Sequence, residues 1–287
     1  MSALHAISDI HVGFPDNRAF IESLRPESDG DWLIVAGDVA EHFADIEWAL
    51  STLARRYAKV IWAPGNHELW TPKDDPVQER GEARYRRLVE MCRGLGVLTP
   101  EDPYAVWDGS GADGPVTIAP LFVLYDYTFR PEGASTKEEA LQVAYDAGVV
   151  CTDEVLLHPD PYPSRDAWCD ARIAYTERRM AELAPGTRTV LINHWPLVRE
   201  PTRILWHPEF AQWCGTERTA DWHVRFGAVT VVYGHLHIPR TLWSDGVRFE
   251  EVSVGYPREW RRRGERPSGP HRILPPQEER ILRIPRS

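Results

Sequence analysis

Asp31-Trp32-Leu33-Ile34-Val35-Ala36-Gly37-Asp38-Val39-Ala40-Glu41 is the stretch on which the reading of this chain turns. Residues 32–36 form an uninterrupted apolar run of strand length, and Gly37 permits a tight turn at its end. Asp38 therefore stands where a buried strand stops, the place at which open α/β sheets hold their ligands. The same pattern recurs on both sides. Residues 4–8 run into Asp9-Ile10-His11, and residues 60–63 run through Pro64 into Gly65-Asn66-His67-Glu68. Further on, residues 189–193 end at Asn193-His194, and residues 229–233 end at Gly234-His235-Leu236-His237. Two more apolar runs, 116–119 and 249–254, and 3.6-residue helical patterns at 46–57, 83–92 and 171–183 complete an alternation that predicts an α/β fold.

Each motif is weak alone, because an Asp after a strand is commonly a cap or turn residue. Jointly they say more. Five clusters of oxygen and nitrogen donors, each just after an apolar run, converge on one edge of a sheet if the strands run parallel. Strand alternation lets positions i and i+2 aim at one ion, as in Asp9 with His11 and His235 with His237. Asn66 offers a neutral oxygen, and His67 a proton near neutrality. Carboxylate, amide and imidazole donors without a thiolate suit Mn, Fe or Zn.

The 287 residues, 43% hydrophobic and 26% charged, are of ordinary globular composition and make one large domain or two small ones. A net charge of -10 argues against a nucleic-acid partner. Residues 258–287 carry nine Arg and four Glu, a balance of +5 that leaves -15 on the rest. They read as a basic C-terminal tail after a catalytic domain spanning 1–257. No window approaches the ~18 apolar residues of a membrane span, so no membrane partner and a cytoplasmic location are expected. Cys92, Cys151, Cys169 and Cys214 lack C-x-x-C spacing and read as reduced structural thiols. Two stretches, about 125–170 and 199–223, break the α/β rhythm as insertions. Trp206, Trp213 and Trp222 in the second suit either a binding loop or core filling.

Asp9-x-His11, Gly37-Asp38, Gly65-Asn66-His67-Glu68, His194 and Gly234-His235-x-His237 resemble, in order, the five blocks of the calcineurin-like metallophosphoesterases. The resemblance implies a four-layer sandwich of two mixed β-sheets flanked by helices. It also implies two metal ions, Mn and Fe foremost and Zn compatible. Asp9, His11 and His237 would hold one, Asn66, His194 and His235 the other, with Asp38 bridging. The implied nucleophile is a hydroxide shared by the ions. His67 would be the catalytic residue that stabilises the oxyanion or protonates the leaving oxygen. Glu41 departs from the Asp, Asn or Arg often found at its position, and its role is open.

Stretches beyond these blocks extend the likeness. Ala6-Ile7-Ser8-Asp9, Tyr162-Pro163-Ser164-Arg165-Asp166-Ala167-Trp168-Cys169, Gly246-Val247-Arg248-Phe249-Glu250-Glu251 and Trp260-Arg261-Arg262-Arg263 resemble the 4'-phosphopantetheinyl hydrolases of actinobacteria within the family. That implies hydrolysis of the phosphodiester joining phosphopantetheine to a serine of an acyl carrier protein. An acidic carrier is then the expected partner, with Arg261, Arg262 and Arg263 as candidate docking charges. Two readings compete: a phosphoesterase of a small metabolite or nucleotide, and a non-catalytic partner-binding scaffold. The complete donor set and His67 count against the scaffold.

Overall fold

Side-chain alternation along the apolar runs sorts them into two sheets. The computed structural model describes residues 2–108, 114–264 and 266–276. Its strands are β1 (Leu4–Ile7), β2 (Trp32–Ala36), β3 (Lys59–Ala63), β4 (Ala105–Trp107), β5 (Val116–Pro120), β6 (Thr189–Ile192), β7 (Ala228–Tyr233), β8 (Arg240–Ser244), β9 (Val247–Glu251) and β10 (His271–Leu274). One sheet has the order β10-β1-β2-β3 and the other β4-β5-β6-β7-β9-β8. Both are mixed: β1, β2 and β3 are parallel, as are β5, β6, β7 and β9, while β10, β4 and β8 add antiparallel edges. The α/β double-sheet sandwich is thus the architecture that the motif resemblance implies. The expectation that all donors share one sheet edge is corrected, since the strands that carry them divide between two sheets.

The physical reason lies in the runs themselves. Ala6, Ile34 and Ile61 stand in register across β1, β2 and β3 and face Ile118, Val190 and Val232 of the other sheet. The alternate residues Leu33, Val35, Val60, Trp62, Leu191 and Val231 face outward into a second core under the helices. Strands buried on both faces need apolar residues at every position, which is why these runs do not alternate. Each fully buried Ile or Val of these layers contributes about 1.5–3 kcal/mol. The helix Phe43–Ala54 closes one outer face through Ile46, Ala49, Leu50 and Leu53, an i, i+3, i+4, i+7 stripe. Gly81–Gly94 and Arg165–Ala181 also bury one face.

Composition and structure divide the chain differently at its C-terminal end. Pro257–Arg263 is a helix whose Trp260 is buried, and β10 pairs with β1, Leu4 opposite Leu274. Trp260 of that helix and the strand β10 are therefore packed against the sandwich although the charge of this segment sets it apart, while 277–287 lie outside the described residues. The 125–170 insertion holds the helix Lys137–Asp146, opened by the capping box of Thr136 and Glu139, and the single turn Asp153–Leu156. The helix read as 171–183 begins at Arg165, capped by Ser164. In the other insertion Trp213 and Trp222 fill the core, whereas Trp206 is 91% exposed. No helix among the described residues is long and apolar enough to cross a membrane.

Candidate metal centre

The C-terminal ends of β1, β2, β3, β6 and β7 meet on one side of the sandwich. Ser8, just past β1, bridges in parallel to Ser253, just past β9, so the two sheets are stitched together at this point. Ser8 N donates to Val252 O at 3.0 Å and Val254 N to Ser8 O at 2.9 Å. Asp9, His11, Asp38, His235 and His237 all have positive φ, from 43° to 71°. They are five of the seven non-glycine residues so strained among the described ones. Each costs about 1–3 kcal/mol, and such residues collect at functional sites. The paired donors therefore do not meet by strand alternation; left-handed turns swing them inward. Two motif glycines serve close approach: a Cβ on Gly65 would strike the Asp38 carboxylate, and one on Gly234 the Asp9 carboxylate.

The eight sequence-predicted site residues all come together here. Nε2 of His237 is 2.9 Å from Asp9 Oδ1 and 3.2 Å from His11 Nε2. Next to this trio, Asn66 Oδ1, His194 Nε2 and His235 Nδ1 form a triangle with all three sides 3.2 Å. Asp38 Oδ2 lies 3.4 Å from His194 Nε2 and 3.7 Å from His67 Nε2. Asp9, His11 and His237, then His11, Asp38 and His67, then Asp38, His194 and His235, each offer donor atoms within 4.8 Å of one another.

These spacings fit cations. Donors about 2.0–2.1 Å from one ion, at angles of about 90–110°, lie about 2.9–3.4 Å apart. The charges agree as well. Burial opposes protonation of His194 and His237, yet Asp38 pulls the first up to about 9 and Asp9 raises the second. The carboxylates demand positive charge, and a cation in either trio would replace those protons. His235 is pushed down to about 3 by burial and by His194, as suits a neutral ligand.

The outer contacts of the donors come from several segments. Nδ1 of His237 is 2.8 Å from Glu259 Oε2, on the helix Pro257–Arg263. Nδ1 of His194 lies 2.9 Å from Ala36 O. Ser8 Oγ and Ser253 Oγ each donate to Asp9 Oδ2 at 2.6 Å. Glu68 is fully buried and accepts from the amides of Asp38, Val39 and Gly65 and from Trp62 Nε1, which locks the β2 and β3 loops together. Burial and Asp38 hold its carboxyl above the ordinary range.

His67 sits at the edge of this cluster. Its Nδ1 is 2.9 Å from Glu41 Oε1, its ring tilts against Trp70 at 3.7 Å, and its amide donates to Asp38 Oδ1 at 3.0 Å. Burial works against the imidazolium, but Asp38 and the Glu41 hydrogen bond outweigh it and raise the His67 pKa. A cavity of about 470 Å³ opens beside His67 and Glu41, walled by Phe14, Trp70, Tyr256, Pro257, Arg258 and Arg261. Sequence reading quotes Glu41 and Glu68 within motifs but gives neither a role, and it does not reach Asp153 or Glu259. A Glu five residues into the Gly-Asp motif and one after Asn-His were visible signals, whereas Asp153 and Glu259 had none.

A double-sheet sandwich with two trios of oxygen and imidazole donors beside one carboxylate, at one end of its strands, is the architecture of a metal-dependent phosphoric ester hydrolase. The sequence model of the calcineurin-like phosphoesterases matches residues 4–239, and the chain belongs to that family. It is 60% identical over 260 residues, 91% of this chain and 80% of the relative, to the [acyl-carrier-protein] phosphodiesterase PptH of Mycobacterium tuberculosis. A crystal structure of phosphopantetheinyl hydrolase PptH from that organism superposes with a TM-score of 0.93 at 58% identity, covering 96% of both chains.

Proposed function

We propose that this phosphodiesterase releases 4'-phosphopantetheine from the serine of a holo acyl carrier protein. The observation that carries the reading is the 60% identity to an acyl-carrier-protein phosphodiesterase over 91% of the chain. The cavity of about 470 Å³ that opens beside His67 offers room for the phosphodiester at the metal-facing side. Asp9, His11 and His237 would hold one divalent cation and Asn66, His194 and His235 the other, with Asp38 between them. Mn and Fe suit these mixed donors best, and Zn is compatible. Bound there, the cations supply Lewis-acid stabilisation of phosphate oxygens and an acidified water as nucleophile.

The chain's own residues do the rest. His67, when protonated, gives its Nδ1 proton to the Glu41 hydrogen bond and keeps the other on Nε2, available to the leaving serine oxygen. Trp70 backs that ring. Arg258 and Arg261 line the cavity and would meet an acidic carrier, while Arg263 donates to His237 O at 3.3 Å and so supports a ligand loop. The domain proposed here takes in residues 258–276. Its four cysteines are unpaired and buried, consistent with the cytosol as the place of action.

The test is mass analysis of a holo carrier after incubation with the protein and Mn. Loss of the phosphopantetheine mass is expected. An unchanged carrier beside a hydrolysed chromogenic diester would favour a small-molecule substrate, and inertness towards both would favour a scaffold.

A further inference from the structure

We propose that Asp153, which lies in none of the five motifs, is a positioning residue that fixes both the Asn66 amide and the indole behind His67. Asp153 is fully buried at the start of the turn Asp153–Leu156, within the 125–170 insertion. Its Oδ1 accepts from Asn66 Nδ2 at 2.9 Å and from Trp70 Nε1 at 2.7 Å. The two ends of an Asn amide are nearly equal in shape, so only its partners decide which way it points. An oxygen acceptor on one side requires the NH2 there. Asn66 Oδ1 is then turned to the other side, where it stands 3.2 Å from His194 Nε2 and from His235 Nδ1. An inverted amide would set oxygen against oxygen and aim N–H donors into the space where a cation belongs.

The same oxygen reaches the proton donor. Trp70, held through its Nε1, packs 3.7 Å from the His67 ring. Asp153 is itself anchored, for Arg165 Nη2 donates to its carbonyl at 2.6 Å and Arg165 Nη1 to Glu154 Oε2 at 2.9 Å. The insertion thus buttresses one metal trio and the catalytic imidazole through a single atom. Partners of this kind, one contact removed from a metal, are worth about 10–100-fold in metal affinity.

The inference rests on Asn66 being an ion ligand. Its test counts ions by equilibrium dialysis against Mn in the full chain and in Asp153→Ala, Asp153→Asn and Asn66→Ala, with circular dichroism to confirm folding. Asp153→Ala should keep one ion and bind the other about 10–100-fold more weakly. Asp153→Asn, which retains an acceptor oxygen, should hold two. A folded Asp153→Ala with two ions at wild-type affinity would overturn the coupling, as would an Asp153→Asn that loses as much as Asp153→Ala. If Asp153→Ala does not fold, Asp153→Asn decides alone: two ions support the inference and the loss of one overturns it. Wild-type affinity for both ions in Asn66→Ala would overturn the ligand assignment itself, a failure distinct from that of Asp153.

Discussion

Glu41→Gln isolates the contact that separates His67 from an ordinary buried imidazole. Glu41 Oε1 stands 2.9 Å from Nδ1 of His67 and, with Asp38, raises its pKa against the effect of burial. Cations held beside Asp38 would offset that carboxylate's pull, which would leave Glu41 as the main support of the imidazolium. A neutral amide of the same size turns a hydrogen bond to a charged group, about 1.5–3 kcal/mol, into a neutral one of about 0.5–1.5 kcal/mol. The Glu41 side chain is 31% exposed, so water screens part of the difference. About 1 kcal/mol remains, which at 1.36 kcal/mol per tenfold is a roughly five-fold loss. If His67 is the proton donor proposed above, the loss falls on protonation of the leaving oxygen. It should therefore appear in kcat for an alkyl phosphodiester and be nearly absent for a 4-nitrophenyl diester, whose anion leaves without a proton. Because the substitution removes a group that raises the His67 pKa, the activity limb that needs the imidazolium should also move to lower pH. Steady-state rates on both substrates, with bound metal counted, check this. Equal losses on the two substrates, or a loss of metal, would refute the reasoning.

Asp38→Ala should remove activity and lower total bound metal, because the carboxylate lies between both trios; two tightly held ions by elemental analysis would end its bridging role. Arg258→Ser with Arg261→Ser should cut kcat/KM for holo carrier about tenfold at low salt and less as salt shortens the Debye length towards ~8 Å, with a smaller effect on a small diester. Away from the centre, burial would raise the Glu101 carboxyl, but the Arg172 guanidinium at 2.7 Å and the Tyr85 hydroxyl at 2.7 Å outweigh it and hold its pKa below 4.5. A pKa depressed by folding gives stability that is present above the unfolded value and lost as pH falls through the folded one. Glu101→Gln should thus cost about 1–3 kcal/mol at neutral pH, and its Tm gap to the wild type should close in acid, by calorimetry of the chelated protein. A gap that persists in acid would mean the effect is packing.

The strands and the donors were legible because their signals are local. An apolar run followed by glycine and Asp, Asn or His states burial, turn and donor within a few residues, and β1, β2, β3, β6 and β7 all stand where those runs predict. Seven ligand candidates and His67 were readable from such runs, and they meet in one cluster. The antiparallel edges β4, β8 and β10 were missed, since edge strands lack the double-faced apolar run; β8 alternates intermediate and exposed residues. What only the tertiary structure decided is which groups hold the donors in place. Asn66 meets Asp153 across 87 residues of sequence, and His237 meets Glu259 across 22. Glu259 lies beyond the stretch shared with the family model. A single buried carboxylate carries no periodic or spacing signal in the chain, and its place appears only when packing brings its oxygen within hydrogen-bond distance of the free end of a candidate donor.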